Sequence, residues 1–177
     1  MNVKLVVHYL FGVLRCDRDV IREVAMDPAS TWMDLALAGV ASFFGGLSGG
    51  PLAGLVGVIL APAFLFLLVG LLFVSSGVLG GSGSYLALWR PSAFAWVLSS
   101  LNLLGGLSVV GPVIALVICL YLMFVAIVVV QSTQGLSFGR SVAAAAVVWG
   151  LCACLPFAGA LVIGQSSALA PFVYAIF

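Results

Sequence analysis

From Leu35 to Phe177 this chain carries only two charged side chains, Arg90 and Arg140. All five acids and the other four basic residues lie between Met1 and Asp34. Soluble domains are roughly one-quarter charged; here the figure is 6%, against 64% hydrophobic residues. So few charges cannot clothe a water-facing surface, so the sequence predicts an all-α, polytopic transmembrane bundle with lipid as its solvent. The same scarcity excludes a basic face for nucleic acid and a water-soluble catalytic domain.

Three regions follow. Residues 1–28 read as an amphipathic cytoplasmic or interfacial helix, 29–165 as a bundle of about five spans, and 166–177 as an apolar tail too short to cross again. In the first, Val3, Val6, Val7, Leu10, Phe11 and Leu14 recur at three- and four-residue intervals, with Ile21 and Val24 beyond the charged cluster. Such a helix either lies in the headgroup layer or packs on the ends of the spans. Asp27-Pro28 ends it, because the residue before proline avoids the helical region.

The predicted spans are Thr31 to about Leu47, Pro51 to about Leu79, about Ser92 to Leu107, Pro112 to about Gln131, and Ser141 to about Gln165. Trp32 suits the membrane interface. The second span exceeds the ~30 Å hydrocarbon core, and Pro62 is its expected kink. Ser48-Gly49-Gly50-Pro51, Gly80-Gly81-Ser82-Gly83-Ser84 and Gly111-Pro112 read as turns. A cytoplasmic N-terminus places every Lys and Arg on one side and Phe177 on the outer or lumenal side.

Polar chemistry within the spans is sparse. Asp34 stands one turn into the first span, where Arg22, Arg90 or Arg140 could pair with it. Asn102, beside Ser99 and Ser100, is a buried-amide candidate suited to gluing helices together. Gly46, Gly50 and Gly54 repeat every four residues, and Gly135, Gly139 and Ala143 to Ala146 line the entry to the last span. Small residues let helices approach closely in lipid, so these glycines, with Arg140, are packing or interaction candidates. Cys16, Cys119, Cys152 and Cys154 lack metal-ligand spacing, and His8 is the one histidine. No P-loop, HExxH or Ser/His/Asp set occurs, and neither a catalytic residue nor a cofactor is expected.

The order of features resembles the Yip-domain (Ypt-interacting-protein) family of five-span membrane proteins, in its short bacterial form. The resemblance runs from about Leu5 to Gly164. It rests on Asp27-Pro28 and Trp32, on the Gly80 to Tyr85 loop, and most specifically on Gly135-Leu136-Ser137-Phe138-Gly139-Arg140 before an alanine-rich span. The Asp-Leu-Tyr-Gly-Pro-like motif of the eukaryotic members has only Met33-Asp34-Leu35-Ala36 as its nearest text. The resemblance implies a cytoplasmic N-terminus, an external C-terminus and no catalytic residues; eukaryotic members bind prenylated GTPases.

The expected function is a non-enzymatic scaffold or accessory subunit of the bacterial cytoplasmic membrane. Its partners would be the lipid bilayer and either other subunits of a larger complex or a second copy. The alternatives are a small transporter or channel, and a membrane-shaping or trafficking-type protein.

Overall fold

The computed structural model describes residues 3–106 and 110–163. Among them are seven α-helices and no strand: α1 Val3–Leu14, α2 Arg18–Met26, α3 Ser30–Gly46, α4 Pro51–Val78, α5 Tyr85–Ala95, α6 Val110–Gln134 and α7 Phe138–Ile163. Two 3₁₀ segments, Leu47–Gly49 and Trp96–Gly106, follow α3 and α5. The tail at 166–177 lies outside the described residues.

Two helices are long and apolar enough to cross a membrane: α4, with 28 residues, and the 113–134 stretch of α6. At 1.5 Å per residue α4 extends about 42 Å. It runs on through Pro62, which lacks the N–H that would bond one turn back.

The N-terminal region departs from the single helix read in the sequence. Cys16 adopts a left-handed φ of 57°, and Asp17 caps a new helix by accepting from the amides of Asp19 and Val20. The chain therefore folds back as a hairpin, α1 against α2. Gly12 permits the crossing, because a Cβ there would overlap the side chain of Val20. Nor does the hairpin simply sit on the helix ends. Tyr121, midway along α6, donates its hydroxyl to the Leu14 carbonyl, and Arg18 reaches Gln131 Oε1 at 2.8 Å. The hairpin thus lies alongside α6, with α2 packed on α5 and α6.

The third apolar segment also differs. Ser84 caps α5 by accepting from the Ala87 amide at 3.2 Å, so helix begins at Tyr85 and passes through Pro91. From Trp96 the chain tightens to 3₁₀. The connection expected between Leu79 and about Ser92 shrinks to the glycine/serine turn.

A continuous core joins the hairpin to the bundle. Ile21 and Val24 of α2, Leu65 and Leu72 of α4, Phe94 of α5 and Val130 of α6 are all fully buried. Tyr9 meets Phe94 edge-on, with ring centroids 6.0 Å apart.

Candidate functional site

The turn between α2 and α3 is tied by several hydrogen bonds. Asp27 Oδ1 accepts from the Ala29 amide at 2.9 Å, and the Ser30 hydroxyl donates to Asp27 O at 2.8 Å. This turn aims the buried face of α3, carrying Ser30, Asp34, Ala38, Ala41 and Ser42, at α5 and the 3₁₀ segment after it. Small and polar residues suit that face, since they let the elements approach closely.

Arg90 enters this junction from α5. Its Nη1 donates to the Ala25 carbonyl at 2.6 Å and its Nε to Thr31 Oγ1 at 3.0 Å. The guanidinium thereby satisfies a carbonyl left over at the end of α2 and binds α2, α3 and α5 together. Asp34 lies within its electrostatic reach. Farther along α3, the Trp96 indole donates to Ser42 Oγ at 3.2 Å, and that hydroxyl donates to Ala38 O at 2.7 Å.

Asp34 is the anomaly. It is fully buried, and neither carboxylate oxygen has a hydrogen-bond partner, although the Trp89 indole and the Leu35 amide approach it. Buried polar groups are usually satisfied, and exceptions concentrate at functional sites. The carboxylate faces Arg90 rather than Arg22 or Arg140. Arg140 instead donates to the Leu79 carbonyl at 3.4 Å.

A second junction unites the two loops that the sequence singles out. Gln134, almost fully buried, accepts from the Ser82 amide through its backbone oxygen at 3.2 Å. Its Oε1 accepts from the Gly83 amide at 2.9 Å. Gly83 lies so close to Thr133 O that no side chain fits there. Gly80 and Gly135 both take left-handed φ, 94° and 68°, which glycine adopts without steric penalty.

The glycine candidates divide. Gly46 and Gly54 close the α3–α4 hairpin: a Cβ at Gly46 would lie 2.8 Å from Ala53 O, and one at Gly54 3.1 Å from Phe43 O. Gly57, unremarked in the sequence, does the same against Ser42 O at 2.9 Å. Gly50 makes the turn itself with φ 100°. That four-residue repeat is therefore used largely within the chain. Gly135 and Gly139, by contrast, have open space where a Cβ would point. Asn102 falls in the 3₁₀ segment, and its side chain lies outside the described residues.

Two adjoining open grooves, about 720 and 610 Å³ in volume, run along α3 and α4, the first also walled by α5, with Leu35 and Pro62 common to both. Trp32, Phe66 and Trp89 line the first, and Phe43 and Phe44 the second. Among the described residues no group of three or more His, Cys, Asp or Glu side chains could hold a metal ion.

At the α1–α2 crossing, the Tyr9 hydroxyl lies 3.3 Å from both Glu23 Oε1 and Asp27 Oδ2. Burial, reinforced by those two carboxylates, pushes the Tyr9 phenol up to about 12. Sequence reasoning named Arg90 only as a possible partner of Asp34 and missed Trp96, Ser42 and Gln134, whose partners are distant along the chain.

Comparison with protein-family models, curated proteins and solved structures finds no match for this chain.

Proposed function

We propose that this chain is a non-enzymatic integral membrane protein serving as a scaffold or accessory subunit of a larger membrane complex. It crosses the bilayer about five times: α3, α4, α5 with its 3₁₀ continuation, α6 and α7. At 1.5 and 2.0 Å per residue, Tyr85–Gly106 reaches up to about 38 Å, enough for a span. The N-terminus is cytoplasmic and the C-terminus outside, on the distribution of Lys and Arg. Yip-type membership belongs to the same proposal, supported by the contact between the two loops on which the resemblance rests.

The observation that carries this reading is the unpartnered apolar surface of α4 and α6. Leu52, Leu55 and Ile59 on one helix, and Val113, Leu116 and Val117 on the other, are exposed in the isolated chain. Exposed apolar surface on this scale marks contact with membrane or protein, and the aromatic grooves between α3 and α4 add relief that a facing helix can fill.

The test is to solubilise the tagged protein in mild detergent and weigh what accompanies it by native mass spectrometry. A partner in fixed ratio is expected. A lone monomer would overturn the accessory role and favour the second reading, a small transporter, for which the unpartnered Asp34 is the specific support. Asp34→Asn would then abolish transport while the protein still folds.

A further inference from the structure

We infer that Asp34 is a proton-binding site and, with Arg90, forms a proton-controlled latch where α2, α3 and α5 meet. While Asp34 carries its proton, Arg90 holds Ala25 and Thr31. When the proton leaves, the guanidinium turns to the carboxylate and releases them. This extends the role offered above for Asp34 in a transporter, yet it depends neither on transport nor on a partner subunit.

The surroundings of the carboxyl group favour its neutral form. Asp34 is fully buried, and neither Oδ1 nor Oδ2 accepts a hydrogen bond. The Trp89 indole and the Leu35 amide come near without completing one. A carboxylate there would have lost water and gained no donor, a far heavier penalty than a neutral carboxyl group meets. Among the described residues Arg90 is the one charged side chain that acts on it. Bonds from a guanidinium to a carboxylate are charge-assisted and frequently bidentate, so an ionised Asp34 would draw Arg90 onto itself. Instead Nη1 donates to Ala25 O at 2.6 Å and Nε to Thr31 Oγ1 at 3.0 Å, both neutral oxygens. That is the arrangement of a neutral acid beside a cation bound elsewhere.

The neighbouring elements offer no competing group. α4 and both 3₁₀ segments pack on α3 and contain no titratable side chain. α5 brings Arg90 and Tyr85, whose hydroxyl donates to Phe66 O at 3.0 Å. On and beside α2, Arg18 is engaged with Gln131, Glu23 and Asp27 face Tyr9, and Asp19 and Arg22 are exposed. The proton has a short way to water: Asp34 stands one turn, about 6 Å, from Ser30, next to the exposed Pro28 and Ala29. Without the guanidinium the Ala25 carbonyl is left unmatched at the end of α2. The last turn of α2 and the turn into α3 then loosen, while Ile21 stays seated in the core.

The test is infrared spectroscopy and amide hydrogen exchange on the full-length protein in nanodiscs, with Asp34→Asn as the neutral isostere. At pH ~6, about two units above the ordinary aspartate value, the parent should show the carbonyl stretch of a protonated carboxyl group that Asp34→Asn lacks. Absence of that difference band would overturn the inference, since Asp34 would then be ionised. Raising the pH should remove the band. Over the same interval, amide exchange across residues 24–31, corrected for base catalysis, should rise several-fold in the parent and stay level in Asp34→Asn. A band that persists into strong alkali, or exchange that rises equally in both proteins, would overturn the latch. Failure of Asp34→Asn to fold would overturn it too, because the fold would then require the charge.

Discussion

α4 and α6 each carry sealed and open apolar residues of nearly the same kind, divided by faces on α4, where Phe66, Leu67 and Val74 stay exposed beside sealed neighbours, and by halves on α6. On α4, Leu65, Val69 and Leu72 are sealed, whereas Ile59, less than two turns before Leu65, is 73% exposed. On α6, Val125, Val129 and Val130 are sealed, whereas Leu116 is 60% exposed. The sealed residues pack among α2, α5 and α7; the first half of α4 packs on α3 through Gly54 and Gly57 yet leaves Leu52, Leu55 and Ile59 uncovered. Lipid tails are as apolar as leucine, so hydropathy suits both kinds of residue to a membrane without telling which faces protein. Packing makes that distinction, and it comes from Gly12, the Asp17 cap and Arg90.

Substitutions that remove side chains from the sealed region should break this contrast most strongly. Phe94→Ala, which deletes a fully buried ring, should cost about 3–5 kcal/mol in reversible denaturation in detergent. Gly46→Ala should cost about 1–3 kcal/mol by forcing Cβ against Ala53 O. Ser42→Ala removes the acceptor of the Trp96 indole and should cost about 1 kcal/mol. Leu116→Ala, in the open half, should stay within about 0.5 kcal/mol; a loss like that of Phe94→Ala would erase the contrast between halves.

The gentlest probe is titration of Tyr9, which acts only in strong alkali. The folded phenol of Tyr9 titrates near 12, against an ordinary value of 10.0. Above the ordinary value the unfolded chain releases its proton first. The stability from this group is therefore complete below that point and is lost as pH rises through the folded value. Melting temperatures recorded across that window should fall less steeply for Tyr9→Phe than for the parent.

Much of the bundle is legible because hydropathy reports solvent directly. The predicted start at Thr31 lies one residue from α3, and Pro51 coincides with the start of α4. The hairpin break is harder to see, since apolar periodicity continues across it, yet Asp17 followed by Asp19 carries a helix-start signal. The third span reads as beginning at about Ser92, but Ser84 caps a helix that starts early enough for Pro91 to fall inside it. Asp34 stands out in the sequence as a charge in an apolar run. Its lack of donors does not, because that depends on where Arg90 directs its own hydrogen bonds, to Ala25 and Thr31. Gln134 is equally silent: nothing local announces that its amide will hold a turn some fifty residues earlier.

The most direct test of the scaffold reading is photocrosslinking in the native membrane, with a benzophenone amino acid at Ile59 or Leu116 and, for contrast, at Val130. A docking role predicts that the first two positions yield one discrete, higher-mass protein adduct and that Val130 yields none. Lipid adducts alone at Ile59 and Leu116 would contradict it, leaving a bundle that faces only the bilayer.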